Sequence, residues 1–261
     1  MRNRGNLKLK LIIGVAIILF SFFKYWAKGE TNKYTGKKQH ISLSTDQEIR
    51  LGLQSAPEMA KEYGGLYPDQ EAQDFVKRVG QKIVISSVAK ETPYQYNYYL
   101  LRDPQTVNAF ALPGGQIFIT YGLLKLLKTE DQLAGVLGHE TGHVVGRHSA
   151  EQMAKHELTN GILSGIMAGT DPSMAQMASV VANFKNLKYG REDELEADRL
   201  GVRFMIDAGY NPYNYIEVMN ILDKASGGQA PPEFQSTHPS GPHRVEEIKA
   251  AIKEYGYVQS N

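Results

Sequence analysis

Two histidines and a glutamate at short spacing are the residues of this sequence best suited to chemistry. His139, Glu140 and His143 form the pattern His-Glu-x-x-His. On an α-helix, residues four apart are rotated by only about 40°, so both imidazoles project from one face and can bind one metal ion. Glu140 is rotated by about 100° from His139, which places it beside the ion, where a general base for a metal-bound water must lie. The alternative is a helix with two surface histidines and a solvated glutamate.

The residues around this pattern predict the helix that must carry it. Thr129 is suited to cap the amino end of a helix, with Gln132 as the second half of a capping box. Apolar residues recur at helical spacing from Leu133 onward, so we expect one helix over residues 129–152. Four glycines inside this helix each cost roughly 1 kcal/mol relative to Ala, which indicates that another backbone approaches closely there. They are Gly135, Gly138, Gly142 and Gly146.

A second predicted helix supplies carboxylates for the rest of a metal site. A catalytic zinc ion needs a third protein ligand and an open position for water. In the predicted helix over 192–208, Glu194 and Asp198 are four residues apart and share a face. One can therefore bind the ion while the other accepts the free ring N–H of a ligating histidine. Glu192 and Glu196 are expected to face solvent, and a wholly solvated charged face is the alternative.

Composition limits the chemistry and the partners. The chain has no Cys, which excludes disulfides, thiol catalysis and thiolate metal sites, so that any metal must be bound by His and carboxylates. The net charge is +1, but residues 1–29 carry six basic and no acidic side chains, whereas the remainder carries 23 basic and 28 acidic ones. A mildly acidic globular part makes nucleic acid an unexpected partner.

The amino-terminal segment, 1–28, is expected to be an uncleaved membrane anchor. Residues 11–23 are apolar apart from Gly14 and Ser21, and flanking lysines extend the usable length to about 20 residues. A cleaved signal peptide is the alternative, but bulky and charged residues at 24–26 stand where a small-residue cleavage site would follow. Lysines on both sides leave the orientation open.

The remaining periodicity predicts an α+β domain over 44–258, joined to the anchor by a polar, lysine-rich linker at 29–43. Predicted helices come first, then three strands in succession, then further helices. The strands are expected at 94–101, 107–112 and 116–120, with a turn at 113–115. This order favours a mostly helical domain with a small three- to four-stranded antiparallel or mixed sheet. Residues 158–182, rich in small residues and Met, suit either tight helix packing or a mobile flap beside a cleft.

Four motifs, in this order along the chain, resemble a single family of enzymes. They are Asn108-Ala-Phe-Ala-Leu-Pro-Gly-Gly115, the His-Glu-x-x-His pattern, Arg191-Glu-Asp-Glu-Leu-Glu-Ala-Asp-Arg-Leu-Gly201 and Ser236-Thr-His-Pro239. Together they resemble the membrane-associated zinc metallopeptidases of the gluzincin type, which include the Ste-type CAAX prenyl proteases, HtpX and a protease for quality control of outer-membrane assembly. The likeness extends over roughly residues 44–255.

The resemblance implies a zincin-like fold and one zinc ion per chain. By this resemblance His139, His143 and Glu194 bind the ion, and Glu140 activates the attacking water. Asp198 matches a position with the role of proton donor or of a group behind the ligands, and the geometry above favours the second.

Two further residues, His238 and Asn108, gain expected roles from the same resemblance. His238 is expected to approach the metal, either completing its coordination at rest or stabilising the oxyanion; a surface-loop position is the alternative. Asn108, on a strand edge, matches a position that binds the substrate backbone by strand addition. Arg244 is expected to pair with a site carboxylate. His148, His156 and His243 are expected to be structural or surface residues.

These expectations describe a zinc-dependent endopeptidase that cleaves extended or misfolded polypeptides at the cell envelope. A single possible span favours envelope proteases with a soluble domain over multi-span prenyl proteases, and hence a bacterial inner membrane with the catalytic domain on the periplasmic side. A soluble exported form is the alternative. A chaperone or scaffold with a latent metal site is the rival function. An exopeptidase would need a group that binds a free terminus, and the sequence singles out none; the oligomeric state stays open.

Overall fold

The structure, a computed structural model, describes residues 4–167, 188–225, 233–238 and 243–258, with side chains from residue 9 onward except at 161–167. Most of the segment 158–182, for which helix packing or a flap is expected, therefore lies outside the described residues; its first ten residues complete a helix. The helices are α1 (Arg4–Trp26), α2 (Thr45–Glu62), α3 (Gln70–Ser86), α4 (Tyr121–Leu124), α5 (Glu130–Gly146), α6 (His148–Met167), α7 (Arg191–Asp207), α8 (Tyr213–Ala225), α9 (Glu233–Thr237) and α10 (Arg244–Glu254). The strands are β1 (Gly29–Thr31), β2 (Lys38–His40), β3 (Asn97–Leu101), β4 (Ala109–Leu112) and β5 (Gln116–Thr120). The predicted α+β, mostly helical class is confirmed.

A mixed three-stranded sheet lies beside the helices in the order β3–β5–β4. β3 runs parallel to β5, whereas β4 and β5 form an antiparallel hairpin. Gly114 and Gly115 adopt φ values of 79° and 102° in the connecting turn, a backbone region in which glycine carries no steric cost. One face of the sheet packs on the main core, and the other packs on α2. β4 is left at the edge of the sheet.

Helix α5 lies at the centre of the core and is buried along nearly its whole length. It contacts α3, α7, α8 and the sheet. A Cβ atom added to Gly142 would lie 2.9 Å from the carbonyl oxygen of Ala197, and one added to Gly138 would lie 3.3 Å from that of Gly201. The predicted close backbone approach is therefore confirmed at these two glycines. It allows α7 to lie directly against α5, which brings the carboxylates of α7 to the histidines.

The prediction of one continuous helix over 129–152 is wrong, because the helix ends at Gly146. Arg147 adopts a left-handed conformation (φ 58°), and α6 begins at the next residue. The Arg147 guanidinium holds this turn by binding the Glu48 carboxylate and, at 3.1 Å, the carbonyl oxygen of Leu43. At the amino end, the hydroxyl of Thr129 accepts the N–H of Gln132 at 3.2 Å, so the predicted cap is present.

The amino-terminal region contains two distinct parts. In the part of the chain that is described, α1 alone is long and apolar enough to cross a membrane by length and composition. Within the predicted linker at 29–43, β1 and β2 pair in an antiparallel hairpin. The side-chain amides of Asn32 and Gln39 each donate a hydrogen bond of 2.9 Å to a carbonyl oxygen at the end of α5. These two buried contacts order a segment whose lysine-rich composition favours solvent.

Candidate metal centre

Four side chains from three separate elements meet at one buried point. The Nε2 atoms of His139 and His143, both on α5, lie 3.1 Å apart. Glu194 of α7 reaches them with carboxylate oxygens at 3.5 Å and 3.4 Å, respectively. His238, directly after α9, places its Nδ1 3.0 Å from Glu194 and 3.3 Å from Nε2 of His139. One donor atom from each of the four lies within 4.8 Å of the others, so the structure brings the predicted ligands together.

The arrangement of donors fits a metal cation. The Nδ1 atoms of His139 and His143 face away from the cluster, toward Asp198 (3.0 Å, close but not linear) and His148 (2.9 Å). A neutral imidazole with its proton on Nδ1 leaves Nε2 as an acceptor. Two such acceptors and a carboxylate therefore face one another in a buried space, where only a positive charge relieves their repulsion. Burial lowers the pKa of His139, but Asp198 and Glu194 raise it to about 9, whereas burial holds the pKa of His143 well below its usual range although Glu194 opposes the shift.

Glu140 lies beside this cluster with an unusual lack of partners. Its side chain is fully buried, and neither carboxylate oxygen has a hydrogen-bond partner among the described residues. Nε2 of His238 lies 3.6 Å from Oε1 of Glu140. Burial raises the pKa of Glu140, although His238 and His139 oppose the shift. Since an unpaired buried carboxylate is costly, this position favours a group that accepts a proton.

Asp198 lies behind His139 rather than at the meeting point of the donors. Arg244 binds its two oxygens at 2.8 Å and 2.6 Å, and the hydroxyl of Tyr215 donates to it at 2.6 Å. Burial would raise the pKa of Asp198, but Arg244 lowers it to about 2. Arg244 also lies 3.1 Å from Glu194, so the predicted contact with a site carboxylate is present on two of them. Burial likewise opposes ionisation of Glu194, yet His238 and His139 hold its pKa well below the usual range.

Comparison with known proteins agrees with this geometry. The model of peptidase family M48 matches residues 70–252, which is more than half of the chain. The chain belongs to peptidase family M48. It is therefore a metallopeptidase, and the predicted family and enzyme class are confirmed.

Two groups of relatives stand out among the similar proteins. The mitochondrial metalloendopeptidase OMA1 of Schizosaccharomyces pombe is 33% identical over 249 residues, which cover 94% of this chain and 71% of the relative. The beta-barrel assembly-enhancing protease of Escherichia coli K12 is 26% identical over 227 residues, covering 82% of this chain and 45% of the relative. The peptidase thus spans less than half the length of this bacterial relative.

Sequence reasoning missed His148 as a neighbour of the metal centre. A histidine five residues after His143 would lie about 140° around a continuous helix, away from the cluster. The break at Arg147 instead returns the ring to His143, and His148 is fully buried. No pattern in the sequence indicates that break, because an arginine carries no preference for left-handed backbone. His156 and His243 are exposed, as expected.

The two carboxylates of α7 that are predicted to face solvent, Glu192 and Glu196, differ in their surroundings. Glu192 is exposed, as predicted. The prediction for Glu196 is wrong, because its Oε2 lies 2.9 Å from Nε2 of His148 and 3.3 Å from Nζ of Lys37. Lys37 comes from the segment between β1 and β2, within the predicted linker.

Asn108 does not present its backbone at the sheet edge. Its N–H and C=O both pair with Thr120, at 3.1 Å and 3.0 Å, and its side chain is buried. This differs from the expected strand addition at Asn108 itself. Because alternate residues of an antiparallel pair point to opposite edges, the outward backbone groups of β4 are those of Ala109 and Ala111.

The short helix α9 and His238 form a covering segment beside the metal cluster. The N–H of Phe234 in α9 donates to the carbonyl oxygen of Val107 at 3.2 Å, just before β4. Glu233 accepts hydrogen bonds from the hydroxyl of Tyr63 and, at 3.2 Å, from the amide of Asn108. These contacts place α9 and His238 over the edge of β4 and over the metal cluster.

Proposed function

We propose that this metallopeptidase is a zinc-dependent endopeptidase that hydrolyses peptide bonds of extended or misfolded proteins at the cell envelope. The observation that carries the proposal is the meeting of His139, His143 and Glu194 at one point beside an unpartnered Glu140. Two imidazoles and one carboxylate are the protein ligands of one recurring class of catalytic zinc site.

Each ligand has a role that follows from its partner. His139, His143 and Glu194 would hold one zinc ion, which when bound supplies Lewis acidity for a water and for the scissile carbonyl. Asp198 keeps a proton on Nδ1 of His139, so that Nε2 stays free for the ion. Arg244 balances the charge of Asp198 and Glu194. His238 occupies the remaining side of the cluster in the resting arrangement.

Glu140 performs the proton transfers of hydrolysis. It takes a proton from the attacking water and returns it to the leaving amine. Its buried, unpaired carboxylate suits this role, because burial raises its pKa and no hydrogen bond competes for the proton among the described residues.

Substrate would bind as an added strand beside β4. The outward N–H groups of Ala109 and Ala111 and the C=O of Ala109 offer backbone hydrogen bonds along the edge that leads to the metal cluster, whereas the C=O of Ala111 accepts a hydrogen bond from the Ser149 hydroxyl at 3.5 Å. Such recognition uses the backbone of the substrate rather than its side chains, which favours extended segments of varied sequence. Asn108 would contribute indirectly, through its contact with Glu233 in the covering segment.

The same helix that could cross a membrane is proposed as a retained anchor. Apolar side chains of α1 are widely exposed, with Leu11 at 67% and Phe23 at 72%. Lys24 near its end lies 3.2 Å from Glu157 of α6, and α1 packs along α6. This contact with the domain favours an anchor that stays attached over a cleaved signal peptide. We place the domain at the periplasmic side of a bacterial inner membrane.

The substitution Glu140→Gln tests this function. The variant should keep its zinc, because the ligands are untouched, and should lose cleavage of unfolded casein. Metal analysis and a gel assay on the full chain measure both. Casein cleavage at the wild-type rate would contradict the proposal.

A second candidate function is a chaperone or scaffold that binds unfolded proteins with a latent metal site. The buried position of His238 within the cluster favours it, since this side chain occupies the place that a substrate would need. Retention of casein by Glu140→Gln, with no cleavage by the wild type or by His238→Ala, would support the chaperone. Cleavage of casein by the wild type or by His238→Ala would exclude the chaperone function.

A further inference from the structure

We propose that residues 29–40 belong to the metal centre, because they fix His148, and His148 is the positioning residue for His143. This inference rests on the proposed zinc site. It adds a positioning residue and assigns to the segment between anchor and domain a role in holding the ion.

The first step is the contact between two buried rings. Nδ1 of His148 lies 2.9 Å from Nδ1 of His143, and both side chains are almost completely buried. With its Nε2 directed at the cluster, His143 carries its ring proton on Nδ1 and donates it to His148. His148 thus accepts the Nδ1 proton of His143, as Asp198 does for His139. Partners of this kind fix the orientation and the tautomer of a metal-binding histidine.

The second step is the backbone that places His148 there. Arg147 ends α5 in a left-handed conformation. Its guanidinium binds the carboxylate of Glu48, in the first turn of α2, and the carbonyl oxygen of Leu43, just before α2. A Cβ atom at Gly146 would lie only 2.4 Å from Nε2 of His148, so glycine is needed for the ring to fold back. The sharp turn therefore serves the placement of one imidazole.

The third step extends the contact to Lys37. Nε2 of His148 lies 2.9 Å from Glu196, whose carboxylate lies 3.3 Å from Nζ of Lys37. Lys37 also lies 2.8 Å from Asp193 on α7. An unbroken series of polar contacts therefore runs from His143 through His148 and Glu196 to the segment between β1 and β2.

The same segment also holds the end of α5 by its backbone. The last carbonyl groups of a helix lack partners within it. Asn32 and Gln39 supply hydrogen bonds of 2.9 Å to the carbonyl oxygens of Val145 and Gly146, within the turn that follows His143. Two independent sets of contacts, one through side chains and one through the helix end, thus converge on one ligand.

Zinc affinity of the full chain, measured by competition with a chromophoric chelator, tests this inference. His148→Leu should weaken zinc binding by about 10- to 100-fold, the usual effect of losing such a partner. His148→Asn should stay within a few-fold of the wild type, because its amide oxygen stands where Nδ1 stood. His156→Leu, an exposed histidine on the same helix, is the matched control and should have no effect.

Lys37 provides a second, milder pair of variants. Lys37→Met should weaken zinc binding several-fold, whereas Lys38→Met, an exposed neighbour, should not. Should His148→Leu fail to fold, this pair decides the question. Absorption spectra of the cobalt-substituted proteins provide a readout that general destabilisation would not move, and the spectrum should change for His148→Leu and Lys37→Met.

Wild-type zinc affinity with an unchanged cobalt spectrum in both His148→Leu and Lys37→Met would overturn the inference and leave the proposed function intact. A wild-type chain that binds no zinc would instead overturn the proposed function, and this inference with it. The two failures are therefore distinguishable in one set of titrations.

Discussion

The two sides of the site are held in very different ways. On the metal side, each ligand from α5 and α7 has a buried partner behind it, as His139 has Asp198 and Glu194 has Arg244. On the substrate side, α9 lies over the edge of β4 through a backbone hydrogen bond at Phe234 and side-chain contacts at Glu233. The first arrangement resists displacement of any single donor, whereas the second depends on a few hydrogen bonds that a substrate could replace.

This contrast suggests a division of labour within the peptidase. Donor geometry must survive every turnover, so the chain buries charged pairs to hold it. Access to the edge of β4 must change when a substrate arrives, so the covering contacts are few and lie at one end of a short helix. Substitutions on the metal side should therefore have larger effects on free energy than substitutions in the covering segment.

The largest effect is expected on the metal side, at Arg244. Arg244→Met leaves the fully buried Asp198 without its counter-charge, so the free energy of unfolding should fall by about 3–5 kcal/mol. Arg199→Met is the control, because its pair with Glu254 is partly exposed and should contribute less than about 1 kcal/mol. Denaturant unfolding of both variants measures the difference. Equal losses in the two would mean that the buried pair does not stabilise the site.

The pH dependence of stability should reveal the same pair. The carboxyl pKa of Asp198 is lowered from 3.8 to about 2 on folding, so its contribution is complete well above pH 4 and is lost as the pH falls through 2. The part of this contribution that is lost by pH 2 is about 2 kcal/mol. In metal-free protein, the stability advantage of the wild type over Asp198→Asn should shrink by this amount between pH 6 and pH 2. A constant difference over that range would contradict the account.

Packing between α5 and α7 should show a smaller effect. A Cβ atom in Gly142→Ala would lie 2.9 Å from a backbone oxygen of α7, and in Gly138→Ala 3.3 Å from another. We expect Gly142→Ala to cost about 1–2 kcal/mol and to weaken zinc binding, because α7 carries Glu194. Gly138→Ala should cost less. If Gly138→Ala were the more damaging of the two, the close approach would not be what positions Glu194.

The smallest effect is expected on the substrate side. Glu233→Ala removes the acceptor for Tyr63 and Asn108, each such hydrogen bond contributing at least about 0.5 kcal/mol, so casein cleavage should rise at least about fivefold. Glu233→Gln retains an acceptor oxygen, so its rate of casein cleavage should rise less. Initial rates at equal zinc content measure the change. Slower cleavage by Glu233→Ala would indicate that these contacts build the active form rather than cover it.

The sequence predicts the parts of the site that depend on helical periodicity. His139, Glu140 and His143 follow from one helix, and the shared face of Glu194 and Asp198 from another. The glycines of α5 indicated the close contact between the two helices. These features are local, or they depend on a pattern that repeats along one element.

The parts that could not be predicted depend on backbone that leaves its regular pattern. His148 reaches His143 only because Arg147 adopts positive φ, and Lys37 reaches Glu196 only because a polar segment folds into a hairpin. Asn108 is paired rather than open because of the register between β4 and β5. Each depends on one local conformation or register that composition and periodicity do not encode.

The central claim is that two helices bring His139, His143 and Glu194 to one zinc ion. Anomalous scattering at the zinc edge from crystals of this chain tests it most directly. We expect one peak, with Nε2 of both histidines and a carboxylate oxygen of Glu194 each about 2.0–2.2 Å away. A peak elsewhere, or one that the Glu194 carboxylate does not reach, would contradict the account.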